Sequence, residues 1–269
     1  MPEKILHSLE GVSETLLMTL YARARESQQL DAMLKDDKAV EMVSKIAGDF
    51  SRLRMHRHDE IAVIMRMRKF DNYVCDFLTR NPDAVVVHIG CGLDTRFDRT
   101  DNGRVEWFDL DVPDVMELRR KLIVNESKRY HMLATSVFDD DWLEEVSQYK
   151  PRPFLFLAEG VFPYFEEVQV RSLFLMLRDH FPGSALVCDA HTPFVIWADN
   201  LQLAFAGVKA RLHWRLKHGK DVESWGQSIV LLDEWNYYED DDPHLKAFRW
   251  VRLIPPLAKS SGIFHYRLG

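Results

Sequence analysis

Long apolar runs are missing from this chain of 269 residues, and nothing in it approaches the roughly eighteen consecutive apolar residues of a membrane helix. Its opening segment, MPEKILHSLEGV, also lacks the charged-then-apolar layout of a secretion signal. The expected compartment is the cytoplasm, with no membrane partner. Cysteine is scarce. Cys75, Cys91 and Cys188 stand far apart, without the paired spacing of a zinc site or a thioredoxin motif. That fits a reducing compartment and gives no reason to expect a metal. Positive charge is in deficit, with 35 Lys and Arg against 42 Asp and Glu and a formal net charge of -7, which argues against nucleic acid as the main partner. A local basic stretch over residues 52–69 starts at Arg52 and interleaves its charges with His56, His58 and a Met/Ile stripe. This is the pattern of an amphipathic helix with a solvated face. Internal repeats, low-complexity tracts and Gly/Ser linkers are absent too.

What is present reads as one α/β domain. An apolar fraction of 46% beside a charged fraction of 29% excludes a disordered or fibrous chain, and the length suits a single domain with insertions. Apolar residues recur at three and four from Val12, Leu16 and Leu20 to Ile61, Ile64 and Met65, predicting helices throughout the first third. The turn cluster Asn81-Pro82-Asp83 closes that region. Five short apolar runs follow, beginning at Ala84, Val105, Tyr130, Phe154 and Ala185 and separated by helical stretches. Unbroken apolar strands alternating with helices predict a parallel, doubly wound, Rossmann-like sheet with right-handed crossovers.

After Pro193, Trp197, Leu201, Phe205, Val208 and Leu212 keep helical spacing, and Trp214 and Trp225 follow. This predicts a helical insertion over the sheet. Runs from Ile229 and Ile263, separated by acids at 239–242 and by Pro255-Pro256, would complete a seven-stranded sheet as an antiparallel edge. The expected organisation is a helical cap over 1–80, a cofactor-binding core over 84–192, a helical insertion over 193–228 and terminal strands over 229–269.

The chemistry concentrates at the end of the first strand, where Gly90 and Gly92 let the backbone turn tightly beside a ligand. Asp111, nineteen residues after Gly92, closes the second strand, where an acid accepts ribose hydroxyls. A dinucleotide fingerprint wants a third small residue where this chain has Thr95, and Asp94 would face the pyrophosphate. S-adenosylmethionine, which has no phosphate and carries an ammonium and a sulfonium, is the better match. Glu159 ends the fourth strand, where it could pair with that ammonium or serve simply as a solvated loop acid.

These residues resemble a known family. Gly90-Cys91-Gly92-Leu93-Asp94-Thr95-Arg96, Trp107-Phe108-Asp109-Leu110-Asp111-Val112-Pro113, Asp141-Trp142 and Glu159-Gly160-Val161-Phe162-Pro163-Tyr164 look like the leucine carboxyl methyltransferase superfamily. The branch they resemble most is the bacterial one typified by the tetracenomycin polyketide carboxyl O-methyltransferase. The likeness is densest over 85–164 and extends weakly to Arg23-Ala24-Arg25-Glu26-Ser27, Arg66-Met67-Arg68-Lys69-Phe70-Asp71 and Phe181-Pro182-Gly183. It implies a class I S-adenosylmethionine-dependent methyltransferase in which Gly90 lines the turn, Asp111 holds the ribose and Glu159 meets the methionine end. Arg66 would hold the cofactor carboxylate, with Arg68 or Arg96 as substitutes. Where the family often has an Asp near the adenine, this chain has Ser136 followed by Val137, with Asp139 one turn on. Cys91 suits packing better than attack.

The implied reaction is methyl transfer to oxygen, with a small carboxylic acid such as a polyketide-type metabolite as acceptor. A carboxylate is ionised near neutral pH, so alignment and water exclusion carry the step and no strong general base is required. A phenol would need a base, for which Tyr164 and His191 are the candidates. Phe194, Trp197, Phe205, Trp214 and Trp225, with the N-terminal helices, could form a lid over an apolar acceptor, although aromatics at helical spacing are more often core. Three other readings stand beside this one: a nicotinamide-dependent oxidoreductase, a methyltransferase-like binding protein without turnover, and an enzyme acting on a protein C-terminal carboxylate.

Overall fold

The computed structural model describes residues 12–47, 50, 55–205 and 210–269. Arg52, Val208 and the opening segment of the sequence lie outside them. Three helices come first, α1 (Val12–Ser27), α2 (Asp37–Lys45) and α3 (Arg57–Arg80). An alternating series follows: β1 (Val85–Ile89), α4 (Arg96–Thr100), β2 (Glu106–Asp111), α5 (Pro113–Leu122), β3 (Tyr130–Ala134), α6 (Asp141–Ser147), β4 (Phe154–Ala158), α7 (Glu167–His180) and β5 (Ser184–His191). After α8 (Pro193–Phe205), two strands, β6 (Ile229–Asn236) and β7 (Ser261–Leu268), finish the seven-stranded sheet, whose order is β3-β2-β1-β4-β5-β7-β6.

The five expected parallel strands form where their apolar runs lie. β1 and β4 are buried along their whole length, because helices cover both faces of the sheet. Val85, Val87 and Ile89 pack toward the α6 and α7 side with Trp142, Phe156 and Phe174. Val86 faces the other way with Phe70, Val74 and Leu78 of α3 and with Leu155 and Leu157. The last two strands pair antiparallel, with β7 lying between β5 and β6. α1 and α2 pack through Leu17, Leu20 and Met42 against Leu93 and against Leu118 and Leu122 of α5, which lays α1 across the carboxyl ends of the strands.

The expected helical insertion over 193–228 is only partly helical. α8 ends at Phe205, and Leu212 is not in a helix. The backbone there has other partners: Asn200 bonds both the amide and the carbonyl of Leu212 at 2.8 Å, and the amides of His213 and Trp214 donate to the Pro163 carbonyl. Residues 219–225 form a 3-10 helix. Trp214 is buried against Phe162 and Trp225, so these two tryptophans belong to the core. Phe194, Trp197 and Phe205 are exposed. No helix among the described residues is long and apolar enough to cross a membrane.

Candidate functional site

Parallel register sets the site. Ile89 pairs with Leu110 on one side and Ala158 on the other, so Gly90, Asp111 and Glu159 emerge side by side from three neighbouring strands. Ala158 in turn pairs with Cys188, which sets Asp189 beside Glu159. Beyond these strand ends lies a cavity of about 670 Å³, at the switch in strand order where open α/β sheets bind ligands. Of the residues singled out from the sequence, Arg66, Gly90, Cys91, Gly92, Asp94, Asp111, Ser136, Val137, Glu159, Tyr164 and His191 line it.

The glycine turn is held from several directions. Gly90 and Gly92 have φ of 62° and 53°, a region costly for residues with a Cβ. Asp111 accepts the amides of Gly92 at 2.7 Å and Val112 at 2.8 Å. Burial raises the pKa of its carboxyl above the usual range, and those two amides act against the rise. Arg119 donates to the carbonyls of Gly92 and Asp94, and Arg23 to that of Leu93. Sequence reasoning missed both arginines; Arg23 lies in a motif it noted, whereas nothing local marks Arg119. Gly90→Ala is expected to cost about 1–3 kcal/mol through its left-handed backbone and because the new methyl would strike Val161. A lowered midpoint in thermal unfolding is the readout.

Beneath the turn, four guanidinium groups meet five carboxylates: Arg23, Arg66, Arg96 and Arg99 against Asp36, Asp71, Asp94, Glu159 and Asp189. Burial alone would raise the Asp94 pKa, yet Arg96, Arg99 and Arg23 hold it well below the usual range. Its charge is therefore compensated, and the repulsion expected between Asp94 and a pyrophosphate loses most of its force. Arg96 is fully buried, bound to Asp71, Asp94 and Glu159, and does not reach the cavity. Arg68 points elsewhere, pairing with Asp242. Neither therefore substitutes for Arg66, whose Nε binds Glu159 and whose Nη1 binds Asp189, each at 3.0 Å. Burial works against the Arg66 charge, but these two carboxylates outweigh it and raise its pKa.

At the β3 side of the cavity, Asp139 turns back to accept Thr135 Oγ1 and the Ser136 amide. It braces the loop, leaving Thr135, Ser136, Val137 and Phe138 to form the wall. At the β5 side stand Tyr164, His191, Asp199 and Leu212. Tyr164 pairs with Thr15 of α1 at 3.1 Å, and burial raises its pKa so that it keeps its proton. His191 Nδ1 lies 2.9 Å from Ser261 Oγ, and burial lowers its pKa, keeping it neutral at pH 7. Cys91 is buried, and burial pushes its thiol well up, as suits a packing role. No cluster of His, Cys, Asp or Glu suited to a metal occurs among the described residues.

The sequence model of leucine carboxyl methyltransferase matches residues 16–178. The tetracenomycin polyketide synthesis O-methyltransferase TcmP of Streptomyces glaucescens is 36% identical over 267 residues, which is 96% of this chain and 97% of that protein. A solved DUF574 family protein from Streptomyces avermitilis superposes with a TM-score of 0.61 at 12% identity, covering 95% of this chain and 97% of that one. Magnesium protoporphyrin IX methyltransferase from Synechocystis PCC 6803, solved with bound S-adenosylhomocysteine, gives 0.52 at 7% identity, covering 87% and 94%. At these identities the two structures speak for the fold alone.

Proposed function

The chain belongs to the leucine carboxyl methyltransferase family and is an S-adenosylmethionine-dependent O-methyltransferase of the Rossmann-like class I fold, and on that footing we propose that it methylates a carboxylate of a small, largely apolar metabolite. The relative of known pathway acts in polyketide synthesis, and a polyketide-type acid is the acceptor class we infer here. The observation that carries the reading is the row of strand ends, Asp111, Gly90 and Glu159, opening into one cavity whose wall also holds Arg66, bound to Glu159. We assign Asp111 to the ribose, Ser136 and Val137 to the adenine side, and Arg66 with Glu159 to the carboxylate and ammonium of the methionine end. The cofactor supplies a methyl group on an electrophilic sulfonium.

Beyond Glu159 the cavity continues to Tyr164, His191 and Leu212, which we assign to the acceptor. The protonated Tyr164 hydroxyl is a donor suited to a carboxylate oxygen. Since that oxygen is already anionic, the protein's task is to hold it in line and exclude water. A second reading, a phenolic acceptor, is favoured by one observation: His191 is neutral and fixed by Ser261, the state a general base needs.

Calorimetric titration tests the cofactor, with saturable binding of S-adenosylmethionine and S-adenosylhomocysteine expected, none of NAD, and affinity about tenfold weaker in Glu159→Gln through loss of a charge-assisted hydrogen bond. Preference for NAD would overturn the assignment. Labelled methyl transfer to matched aryl acids and phenols then tests the acceptor. An ester releases its label in alkali and an ether does not. With a carboxylate, kcat stays level as pH falls until the acceptor itself protonates. With a phenol, kcat falls as His191 takes up a proton below the ordinary histidine value, and in that case His191→Phe abolishes it.

A further inference from the structure

The β5 strand contributes a carboxylate that neither the glycine turn nor the proposed acceptor contacts explain. Asp189 is 1% exposed and is not part of the cavity wall. Its Oδ1 accepts the Gly160 amide at 2.7 Å, and its Oδ2 accepts Arg66 Nη1 at 3.0 Å. Gly160, with φ of 66°, is the turn that follows Glu159. One buried carboxylate thus joins the strand end bearing Glu159 to the helix bearing Arg66.

The geometry of Arg66 shows what that junction does. Glu159 takes Nε and Asp189 takes Nη1, and two anions gripping adjacent edges of a planar guanidinium fix its orientation. The remaining nitrogen, Nη2, lies 3.3 Å from the point where a Cβ on Gly160 would stand. Any side chain there would crowd the guanidinium, so the glycine and the arginine are fitted to one another.

We propose, resting on the cofactor assignment above, that Asp189 is a positioning residue for the methionine end of S-adenosylmethionine, acting from beneath the site by holding Arg66 and the Gly160 turn so that Arg66 Nη2 meets the ligand carboxylate. Its contribution is therefore confined to the amino-acid part of the ligand. The adenosine part rests on Asp111 and the β3 loop, on the far side of β1.

Two ligands separate these parts: S-adenosylhomocysteine has the amino-acid end, and 5′-methylthioadenosine has only the nucleoside and a thioether. In Asp189→Asn the amide oxygen can still accept Gly160, but its NH2 is presented to Arg66 Nη1, donor against donor. Calorimetry on this variant of the full chain should show S-adenosylhomocysteine weakened about tenfold and 5′-methylthioadenosine changed less than about twofold. Asp189→Ser, too small to clash, should give the same selective loss if the asparagine variant does not fold. Arg66→Gln should reproduce that selectivity, and adding Asp189→Asn to it should cost nothing more. Equal weakening of both ligands would show general damage and overturn the proposal, as would unchanged binding of both. Failure of the unaltered protein to bind either ligand would instead overturn the cofactor assignment, and the role of Asp189 with it.

Discussion

Replacing Arg96 with methionine is expected to lower the unfolding free energy by about 3–5 kcal/mol at neutral pH, the scale seen when one partner of a buried ionic cluster is removed. Arg96 is fully buried and serves Asp71, Asp94 and Glu159 together. Methionine fills much of the volume but leaves carboxylates facing one another with less compensation, and the lost charge is not replaced by water. The loss depends on pH with a definite sign. Because arginines hold the folded Asp94 pKa well below the usual aspartate value, its stabilising contribution is complete above the unfolded pKa and disappears as pH falls through the folded one. Removing Arg96 lets the folded value relax upward. Urea unfolding of both proteins should therefore show a wide gap at neutral pH that narrows on acidification below the ordinary aspartate range. A gap independent of pH would mean that the cluster is not the cause.

Asp111→Asn should weaken S-adenosylhomocysteine and 5′-methylthioadenosine alike, by about a hundredfold. Both ligands carry the ribose, and two charge-assisted hydrogen bonds to its hydroxyls account for a loss of about 3 kcal/mol. Asparagine is chosen because its carbonyl oxygen retains one of the two bonds to the Gly92 and Val112 amides, so the turn is disturbed less than by alanine. The common loss contrasts with the selective loss expected at Asp189. Burial raises the Asp111 pKa, so affinity in the unaltered protein should begin to fall at a higher pH than an ordinary aspartate would give. Calorimetry over a pH series reads both effects. Selective loss of one ligand in Asp111→Asn would remove the ribose assignment.

How much of this could be read from the sequence depends on the range of the interactions. The five parallel strands were legible because two-sided burial writes itself as unbroken apolar runs, and Gly90, Gly92 and Asp111 were legible because a strand-end turn and the next strand's last residue are local features. The choice among arginines was not. Arg66 and Arg68 are two residues apart on α3, which on an α-helix is about 200° of rotation, so only one of them can face the cavity; the other meets Asp242, far away in sequence. Arg96 reads as a loop residue beside the ligand, yet the first turn of α4 points it inward to Asp71. The case against a dinucleotide treated Asp94 as a bare charge, because nothing in its neighbourhood of the chain announces that Arg23 and Arg99 converge on it. Arg119 and Asp189 act wholly through tertiary contacts and left no local trace. The helix expected to continue through Leu212 is not there because periodicity records where a helix could run, whereas the backbone of Leu212, His213 and Trp214 bonds instead to Asn200 and Pro163.

The order of the last two strands has a consequence for how the protein is made. β6 precedes β7 in the chain but lies outside it, and β7 alone joins β6 to β5. During folding β6 has no strand to receive it, and the flank of β5 stays open, until β7 has docked. Until then the chain offers an unpaired parallel-sheet flank and an unattached strand, the surfaces most prone to mispairing with a neighbour. The finished molecule closes this opening with a register shift between Leu231 and Asp233 and with acids at Asp233 and Glu234 on its outermost strand, features that discourage an eighth strand. The sheet therefore closes last at this edge, and β6 can be added only once β7 has docked on β5.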